Sequence, residues 1–271
     1  MTVNWQRVVI KIGTSSLTDE RGRIFAPKMW AVARGAQVLQ DTLKCKVVLV
    51  SSGAGAAGRE RLNLSLPLTL PEKQAAAAVG QTLLMLDWAR ALAPLAVAQI
   101  LLTASDIQER ERYVNAKNAL EASLKLGAVP IINENDSVAT SEIKLGDNDT
   151  LSAWVAYLVD ADALIILTDV DGLYDSDPRT SPAAKRLSVV NDVREVEKMA
   201  GKAGSSRGTG GMITKLRAAK IAAEAGIETL IHCFISHLLY TSPRVADAAI
   251  APGNGVQRLR AAWYSGETRR E

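Results

Sequence analysis

A glycine-rich loop in the last third of the chain leads directly into a predicted helix and is well suited to hold a phosphate. Its sequence at residues 208–215 is GTGGMITK, with three glycines in four positions. Glycines let the backbone turn its N–H groups inward, and the helix expected over residues 214–225, ending at Gly226, would aim its positive N-terminal end at the same point. Lys215 lies in the first turn, where it opposes the helix dipole, so a ligand explains it better than helix stability does. The spacing differs from that of a Walker A loop, and a tight turn before a helix is the alternative interpretation.

Small and polar residues follow four apolar runs elsewhere in the chain. They are KIGTS at 11–15, SSGAG at 51–55, NEND at 133–136 and TDVDG at 168–172. In a parallel sheet all carboxyl ends point the same way, and ligands bind in the crevice there. One such cluster alone could be ordinary turn chemistry. Four of them, together with the glycine-rich loop, predict one shared functional site.

Strands that alternate with helices are predicted to position these groups. Apolar runs rich in β-branched residues are expected as strands, at residues 8–10, 47–50, 97–102, 129–132, 164–167 and, more weakly, 228–231. Helices are expected at residues 27–43, 72–93, 104–126, 150–159 and 214–225. Runs that are apolar throughout are typical of strands covered on both faces. The pattern therefore predicts an α/β fold, a three-layer α/β/α sandwich with a mostly parallel central sheet, and a β-hairpin is considered for residues 137–146.

Composition excludes several classes of protein. The 271 residues, 48% of them hydrophobic, fit one large domain, and a net charge of +3 with dispersed Lys and Arg argues against nucleic-acid binding. Two cysteines, Cys45 and Cys233, give no disulfide framework and indicate a reducing compartment. There is no signal-peptide pattern, and the longest near-apolar stretch, residues 91–102, is interrupted by Pro94. A cytoplasmic protein with no membrane segment is expected.

The residue types favour phosphoryl transfer over hydrolysis. Lys11 at a strand end and Lys215 at a helix start suit a polyphosphate. No Gly-x-Ser-x-Gly elbow is present and no histidine is placed to activate Ser52. His232 and His237 lie outside the polar clusters and are interpreted as structural or surface residues. Phosphoryl transfer needs mainly alignment and charge neutralisation, and an ionised carboxylate acceptor would require no general base, so two lysines, backbone amides and Mg²⁺ would suffice.

The same residues resemble the amino acid kinase family. The matching motifs, in order, are VIKIGTS at 9–15, SSGA at 51–54, INEND at 132–136, GDND at 146–149, LTD at 167–169, Gly-Leu-Tyr at 172–174 and the loop at 208–215. NEND followed by GDND is typical of the family members that phosphorylate glutamate, and not of those acting on aspartate, acetylglutamate, carbamate or UMP. The resemblance implies the amino acid kinase fold and ATP-dependent transfer to the γ-carboxylate of L-glutamate. The product would be L-glutamyl 5-phosphate, in the first step of proline biosynthesis, with Mg²⁺ bound mainly through the nucleotide phosphates.

The resemblance also implies roles for individual residues. Lys11 and Lys215 correspond to the cations that stabilise the transferring phosphoryl group, and Asp149 to the carboxylate between them; a helix N-cap is the alternative for Asp149. The substrate contacts correspond to Ser52, Gly53, Asp136, Asn148 and Asn133. Asp136 is expected to receive the α-ammonium group of the substrate, while Asn133 and Asn135 are also interpreted as turn formers. The ATP contacts correspond to Lys11, Gly13, Thr168, Asp169, Thr209, Gly210, Gly211, Met212, Ile213, Thr214 and Lys215. No metal ligand is assigned to the protein, and Asp171 is interpreted first as a turn residue.

After Ile231 the chain departs from the family pattern, so the sequence does not define the last strands of the sheet. We expect a kinase domain over residues 1–260, a tail at 261–271 and no RNA-modification-type (PUA) domain. The expected partners are further copies of the chain (a dimer or tetramer), a glutamyl phosphate reductase, and L-proline as a feedback inhibitor at the loop near residues 140–144. Two other hypotheses stay open: an amino acid kinase with a different acceptor, and a nucleotide-binding regulatory protein with little turnover.

Overall fold

The computed structural model describes residues 4–139, 147–168, 174, 181, 183–187, 189–190, 212–233 and 257–259. Strands and helices alternate along these residues. The strands are β1 (Arg7–Ile12), β2 (Lys46–Ser51), β3 (Val97–Leu102), β4 (Val129–Glu134), β5 (Ala163–Thr168), β6 (Val189–Val190), β7 (Glu228–Cys233) and β8 (Gln257–Leu259). The helices are α1 (Ala26–Leu43), α2 (Ala54–Arg61), α3 (Leu70–Ala91), α4 (Ala104–Gln108), α5 (Arg110–Lys125), α6 (Asn148–Leu158) and α7 (Met212–Glu224).

Within the described residues the strands form one sheet, in the order β3-β4-β2-β1-β5-β7-β8-β6. The pairings from β3 through to β7 are all parallel, while β8 runs antiparallel to β7 and parallel to β6. Lys11 of β1 lies level with Val50 of β2 and Ile166 of β5. The parallel strands therefore end together at one edge, as the sequence predicts.

Helices cover both faces of the sheet, which explains why the strands are apolar throughout. Val9 of β1 packs in one hydrophobic cluster with side chains of α5, α6 and α7. Its neighbours Val8 and Ile10 point to the opposite face and pack with α1 and α3. Successive strand residues thus enter different cores, because side chains alternate across a sheet. The predicted three-layer α/β/α sandwich is confirmed.

One helix prediction was wrong, and one helix was not predicted. The helix expected over residues 104–126 is split into α4 and α5 at Glu109, whose backbone is extended with φ −85 and ψ 121. A capping box starts α4, in which Asp106 accepts hydrogen bonds from the backbone N–H and hydroxyl of Thr103 at 2.7 and 2.6 Å. Helix α2 was not predicted, because its sequence AGAAGRER has no apolar periodicity.

Helix α2 owes its place to a close backbone contact with α3. A Cβ added at Gly58 would lie 1.7 Å from the carbonyl oxygen of Ala76, and one at Gly80 would lie 1.8 Å from that of Ala54. Only glycine allows two helices to approach this closely. The contact fixes the first turn of α2 directly after β2, beside the ends of the other strands.

Other expectations lie partly outside the described residues. Residues 135–139 form a turn, in which the N–H groups of Val138 and Ala139 donate to the carbonyl of Asn135 at 3.1 and 3.0 Å; residues 140–146 of the considered hairpin are not described. Helix α7 begins at Met212, two residues before the expected start, and Gly226 follows its end with φ 76. The glycine-rich loop at 208–211, the divergent segment after Cys233 and the tail at 261–271 lie outside the described residues, except that residues 257–259 form β8. In the described ranges, no helix has the length and apolarity needed to cross a bilayer.

Candidate functional site

A cavity of about 470 Å³ opens at the carboxyl edge of the sheet. Its wall comes from the ends of β1, β2, β4 and β5, the first turns of α2 and α6, and the start of α7. The predicted site residues in this wall are Lys11, Gly13, Ser52, Gly53, Asn133, Asp136, Asn148, Asp149, Thr168 and Lys215. Residues that are distant in sequence therefore meet where the strand topology predicts, in a cavity of the size expected for a small-molecule site.

A buried carboxylate joins the two lysines. Asp149 Oδ1 lies 2.5 Å from Lys11 Nζ, and Asp149 Oδ2 lies 3.0 Å from Lys215 Nζ. The Thr214 hydroxyl donates a third hydrogen bond, to Oδ2 at 2.7 Å. The three charged side chains are only 1–8% exposed. One carboxylate thus fixes two ammonium groups from opposite sides of the cavity, and the group keeps a net positive charge.

The charges within this group shift each other's ionisation. Burial lowers the pKa of Lys11, and the nearby charge of Lys215 adds to that effect, while the Asp149 carboxylate opposes it. Burial alone would raise the pKa of Asp149, but the two lysine charges outweigh it and hold the pKa of Asp149 below its usual range. Asp149 is therefore an anion at neutral pH, and each of its two oxygens contacts an ammonium group. A side chain at Gly13 would begin 3.4 Å from Lys11 Nζ, so glycine leaves space beside the ammonium group.

Asp147 corrects one alternative from the sequence. Its carboxylate accepts a hydrogen bond from the Thr150 backbone N–H at 2.8 Å and so caps α6, whereas Asp149 lies inside the first turn. The N-cap interpretation of Asp149 was therefore wrong, because Asp147 caps the helix. Burial raises the pKa of Asp147, against the opposing effect of the Thr150 hydrogen bond. Asp147 also lines the cavity, a position that sequence reasoning did not assign.

A cluster of amide side chains lies beside the lysines. The Asn148 amide nitrogen donates to Ser52 Oγ at 2.7 Å and to Asn133 Oδ1 at 2.9 Å. The Asn133 nitrogen donates in turn to Gln81 Oε1 at 2.9 Å. Asn133 is buried in β4, so its interpretation as a turn former was wrong, whereas Asn135 does begin a turn. This cluster ties β2, β4, α3 and α6 together at the cavity wall.

The end of β2 is fixed by a second contact from α3. Trp88 is fully buried and donates from Nε1 to Ser51 Oγ at 2.9 Å, and Ser51 Oγ donates to the carbonyl of Ser52 at 3.1 Å. Gly53 follows with φ 111, a conformation that favours glycine, and a Cβ there would lie 3.0 Å from Ile24 Cδ1. These contacts hold the Ser52–Gly53 backbone at the cavity.

Acidic residues at the end of β4 also line the wall. Glu134 is buried at the end of β4, and Asp136 follows it, with its backbone N–H donating to the Glu134 carbonyl at 2.9 Å. The site therefore has a cationic region around Lys11 and an acidic region around Asp136. A molecule that carries both an anionic and an ammonium group fits this distribution of charge.

Several predicted ATP contacts are not part of the described wall. Asp169, Thr209, Gly210 and Gly211 lie outside the described residues. Met212, Ile213 and Thr214 lie in the first turn of α7 but do not line the described cavity, and Ile213 is 49% exposed. The wall also contains residues to which sequence reasoning assigned no individual role, although most of them lie in the motifs it named: Thr14, Ser15, Ala54, Gly55, Ala56, Glu134, Asp147 and Leu167.

The described residues fit a magnesium ion that arrives with the nucleotide better than a resident one. No group of three or more His, Cys, Asp or Glu among them could hold a metal ion. Both oxygens of Asp149 already contact lysines. Mg²⁺ binds mostly to phosphate and carboxylate oxygens and keeps several waters, so nucleotide phosphates can supply most of its ligands other than water.

The chain is similar to known proteins in both sequence and fold. The sequence pattern of the amino acid kinase family matches residues 6–233. The chain is 49% identical over 235 residues to a glutamate 5-kinase of Paramagnetospirillum magneticum, covering 83% of this chain and 62% of that protein. It is 51% identical over 233 residues to a glutamate 5-kinase of Shewanella sediminis, covering 84% and 62%. The chain thus spans less than two thirds of the length of these relatives.

Solved structures with the same fold are more distant in sequence. A carbamate kinase from Giardia lamblia bound to AMP-PNP has a TM-score of 0.63 at 16% identity, covering 95% of this chain and 99% of that one. A UMP kinase from Bacillus anthracis has a TM-score of 0.61 at 17% identity, covering 94% and 96%. At such low identity the likeness supports the fold alone.

Proposed function

Because the chain belongs to the amino acid kinase family, we propose that it transfers the γ-phosphoryl group of ATP to the γ-carboxylate of L-glutamate. The product is L-glutamyl 5-phosphate, in the first step of proline biosynthesis. The observation that carries the proposal is the buried pair of lysines held by Asp149 directly beside the Asn148–Ser52 contact. Relatives at about half identity that bear the name glutamate 5-kinase support glutamate as the acceptor.

The reaction needs no base. The γ-carboxylate has an ordinary pKa of about 4.3, so it is ionised at neutral pH and is already the nucleophile. One of its oxygens forms a bond to the γ-phosphorus while the bond from that phosphorus to the β–γ bridging oxygen breaks, and ADP leaves. No proton moves in this step. The described wall of the cavity contains no histidine, which suits a reaction limited by alignment and charge.

The lysines supply the charge stabilisation. Lys11 and Lys215 neutralise negative charge on the transferring phosphoryl group, and Asp149 is a positioning residue that holds both ammonium groups. Because these side chains are buried, their charges act at low dielectric and are already oriented before the substrates bind. Thr214 contributes through its hydrogen bond to Asp149, not through a contact with substrate.

The glutamate binds across the two charged regions. Ser52 and the Gly53 backbone hold the γ-carboxylate next to the lysines, and Asn148 and Asn133 complete the substrate pocket behind Ser52. Asp136 receives the α-ammonium group. An acidic residue at this point selects an amino acid over a simple dicarboxylate, because a dicarboxylate would place a second negative charge beside Asp136.

The nucleotide binds on the other side of the lysines. Gly13, Thr168 and Asp169 contact it together with the loop formed by Thr209, Gly210, Gly211, Met212 and Ile213. When Mg²⁺ is bound to the phosphates, it neutralises part of their charge. Lys11 and Lys215 then need to match only the charge that develops during transfer.

Partners follow from the same activity. An acyl phosphate is labile in water, so we propose that the product passes to a glutamyl phosphate reductase. L-Proline is the proposed feedback inhibitor, at the loop near residues 140–144, and the cytoplasm is the proposed location. A homo-oligomer, dimer or tetramer, is proposed as the functional unit; large exposed side chains such as Trp30, 58% exposed, offer surface for it.

An acceptor series tests the proposal. ADP release with Mg²⁺-ATP is measured with L-glutamate, L-aspartate, N-acetyl-L-glutamate and carbamate. Turnover with L-glutamate alone supports the proposal, turnover with another acceptor points to a different amino acid kinase, and ATP binding without turnover points to a regulatory protein. Lys215→Ala should lower kcat roughly 10²–10³-fold. Asp136→Asn should raise the KM for glutamate more than it lowers kcat, and the opposite split would remove Asp136 from substrate binding.

A further inference from the structure

A chain of hydrogen bonds connects Gln81, in the interior of α3, to Ser52 at the cavity wall. Asn148 donates to Ser52 Oγ and to Asn133 Oδ1, and Asn133 donates to Gln81 Oε1. Gln81 is 8% exposed and does not line the reactant cavity. It lines a neighbouring cavity of about 210 Å³, which shares Ala54, Asn133, Glu134 and Asp136 with the first. Its hydrogen bond to Asn133 connects Gln81 to the wall of the reactant cavity.

Two contacts at Asn133 set the direction of this chain: Gln81 Oε1 accepts from its nitrogen, and the Glu134 backbone N–H donates to its oxygen. A carbonyl oxygen can only accept, so Gln81 Oε1 requires the Asn133 amide to present its nitrogen. Asn133 Oδ1 then faces the other way, where it also accepts from the Glu134 backbone N–H at 2.9 Å. Asn148 must in turn present its nitrogen, and both hydrogens of that nitrogen are used, on Asn133 and on Ser52.

The direction of the chain decides what Ser52 offers to a ligand. Since Ser52 Oγ accepts from Asn148, its own hydroxyl hydrogen is available to donate into the cavity. If the Asn148 amide were flipped by 180°, its oxygen would accept a hydrogen bond from the Ser52 hydroxyl. Ser52 Oγ would then present only lone pairs to the ligand. Lone pairs repel a carboxylate, whereas an O–H group binds it.

We propose that Gln81 is a positioning residue that makes Ser52 a hydrogen-bond donor toward the acceptor carboxylate. The inference deepens the proposed function and rests on it. Gln81 is well placed for this role because the adjacent Gly80 is in backbone contact with α2, where an added Cβ would lie 1.8 Å from the Ala54 carbonyl oxygen. Helix α3 therefore has no freedom to shift at this point.

The test replaces Gln81 by methionine, which has a similar length and no comparable acceptor. Gln81→Met should raise the KM for L-glutamate about tenfold, with the KM for ATP and kcat close to wild type, because the buried Asn133 nitrogen loses its partner. Thr82→Val is the matched control, since Thr82 is exposed, lies next to Gln81 on α3 and lines the same smaller cavity. This control should leave both KM values unchanged.

Two further measurements separate positioning from a general loss of structure. In a Ser52→Ala background, Gln81→Met should add little to the KM, because both changes remove the same contact. Additive effects, or an unchanged KM in a folded Gln81→Met protein, would overturn the inference. If Gln81→Met does not fold, Gln81→Glu keeps an acceptor oxygen in either ionisation state and should hold the KM within a few-fold of wild type; a tenfold rise there would also overturn it. Calorimetric titration of the wild-type protein with L-glutamate distinguishes a failure of the Gln81 inference from a failure of the proposed function. A wild-type protein that does not bind glutamate refutes the proposed function itself.

Discussion

Replacing Asp149 by asparagine tests whether one carboxylate organises both lysines. The substitution keeps the shape but removes the charge, leaving Lys11 and Lys215 buried without the partner that lies 2.5 and 3.0 Å from their ammonium groups. Removal of one partner from a buried ion pair typically lowers the free energy of unfolding by about 3–5 kcal/mol. The phosphates of ATP can replace the lost charge, so saturating ATP should narrow the difference between variant and wild type. Turnover should still fall by roughly 10²-fold or more, because the ammonium groups are no longer held in position.

The assay combines urea unfolding, with and without ATP, and steady-state kinetics. Asp160→Asn is the matched control, because Asp160 pairs with Lys117 at 2.8 Å but its side chain is 70% exposed. An exposed pair of this kind contributes about 0–1 kcal/mol. Since the pKa of Asp149 is held below its usual value, its contribution to stability is present above about pH 4 and is lost as the pH falls through the folded-state pKa. Equal stability losses in both variants, with near-normal turnover in Asp149→Asn, would refute the reasoning.

Three other predictions concern the site and its supports. Because burial lowers the pKa of Lys11, kcat/KM should fall on the alkaline side at a pH below the ordinary lysine value of about 10.4. Lys11→Arg should move this alkaline limb to higher pH. A limb that does not move would mean that another group titrates there. Gly58→Ala should lower stability by about 1–3 kcal/mol in thermal unfolding, because its Cβ would lie 1.7 Å from a backbone oxygen. Gly55→Ala in the same helix is the control, because its Cβ would meet no atom within 4 Å and stability should not change. Equal unfolding midpoints for the two variants would contradict the close contact. Trp88→Phe removes the donor to Ser51 and should lower stability by about 1 kcal/mol. It should also raise the KM for glutamate a few-fold. Both effects would be absent if the end of β2 were fixed by packing alone.

The sheet was predictable from the sequence because its strands are buried on both faces. Val8 and Val9 enter different hydrophobic cores, so neither face needs polar residues and the run reads as continuously apolar. Parallel strands end at one edge, and that rule was enough to bring Lys11 and Asn133 to one cavity from distant parts of the chain. The position of Asp149 between the lysines came from the family resemblance, and a helix cap was the alternative interpretation.

The parts that were missed depend on contacts distant in sequence. Helix α2 has no apolar stripe, and its stability comes from the backbone contact of Gly58 and Gly80 with the facing helix. The break at Glu109 separates α4, which begins with the capping box of Thr103 and Asp106, from α5, and apolar periodicity does not show such a break. The role of Gln81 could not be predicted either, because a single glutamine on an alanine-rich helix carries no signal until its partner Asn133 is known.

The transfer of label from glutamate to phosphate tests the central claim most directly. The protein is supplied with Mg²⁺-ATP and L-glutamate carrying ¹⁸O in both γ-carboxylate oxygens, and hydroxylamine traps the acyl group by attack at the carbonyl carbon. The released phosphate then retains the oxygen that bridged carbon and phosphorus. One ¹⁸O atom in each phosphate, with glutamyl hydroxamate formed in equal amount, is the predicted result. Unlabelled phosphate would mean that water, not the γ-carboxylate, attacks the γ-phosphorus, and would contradict the account.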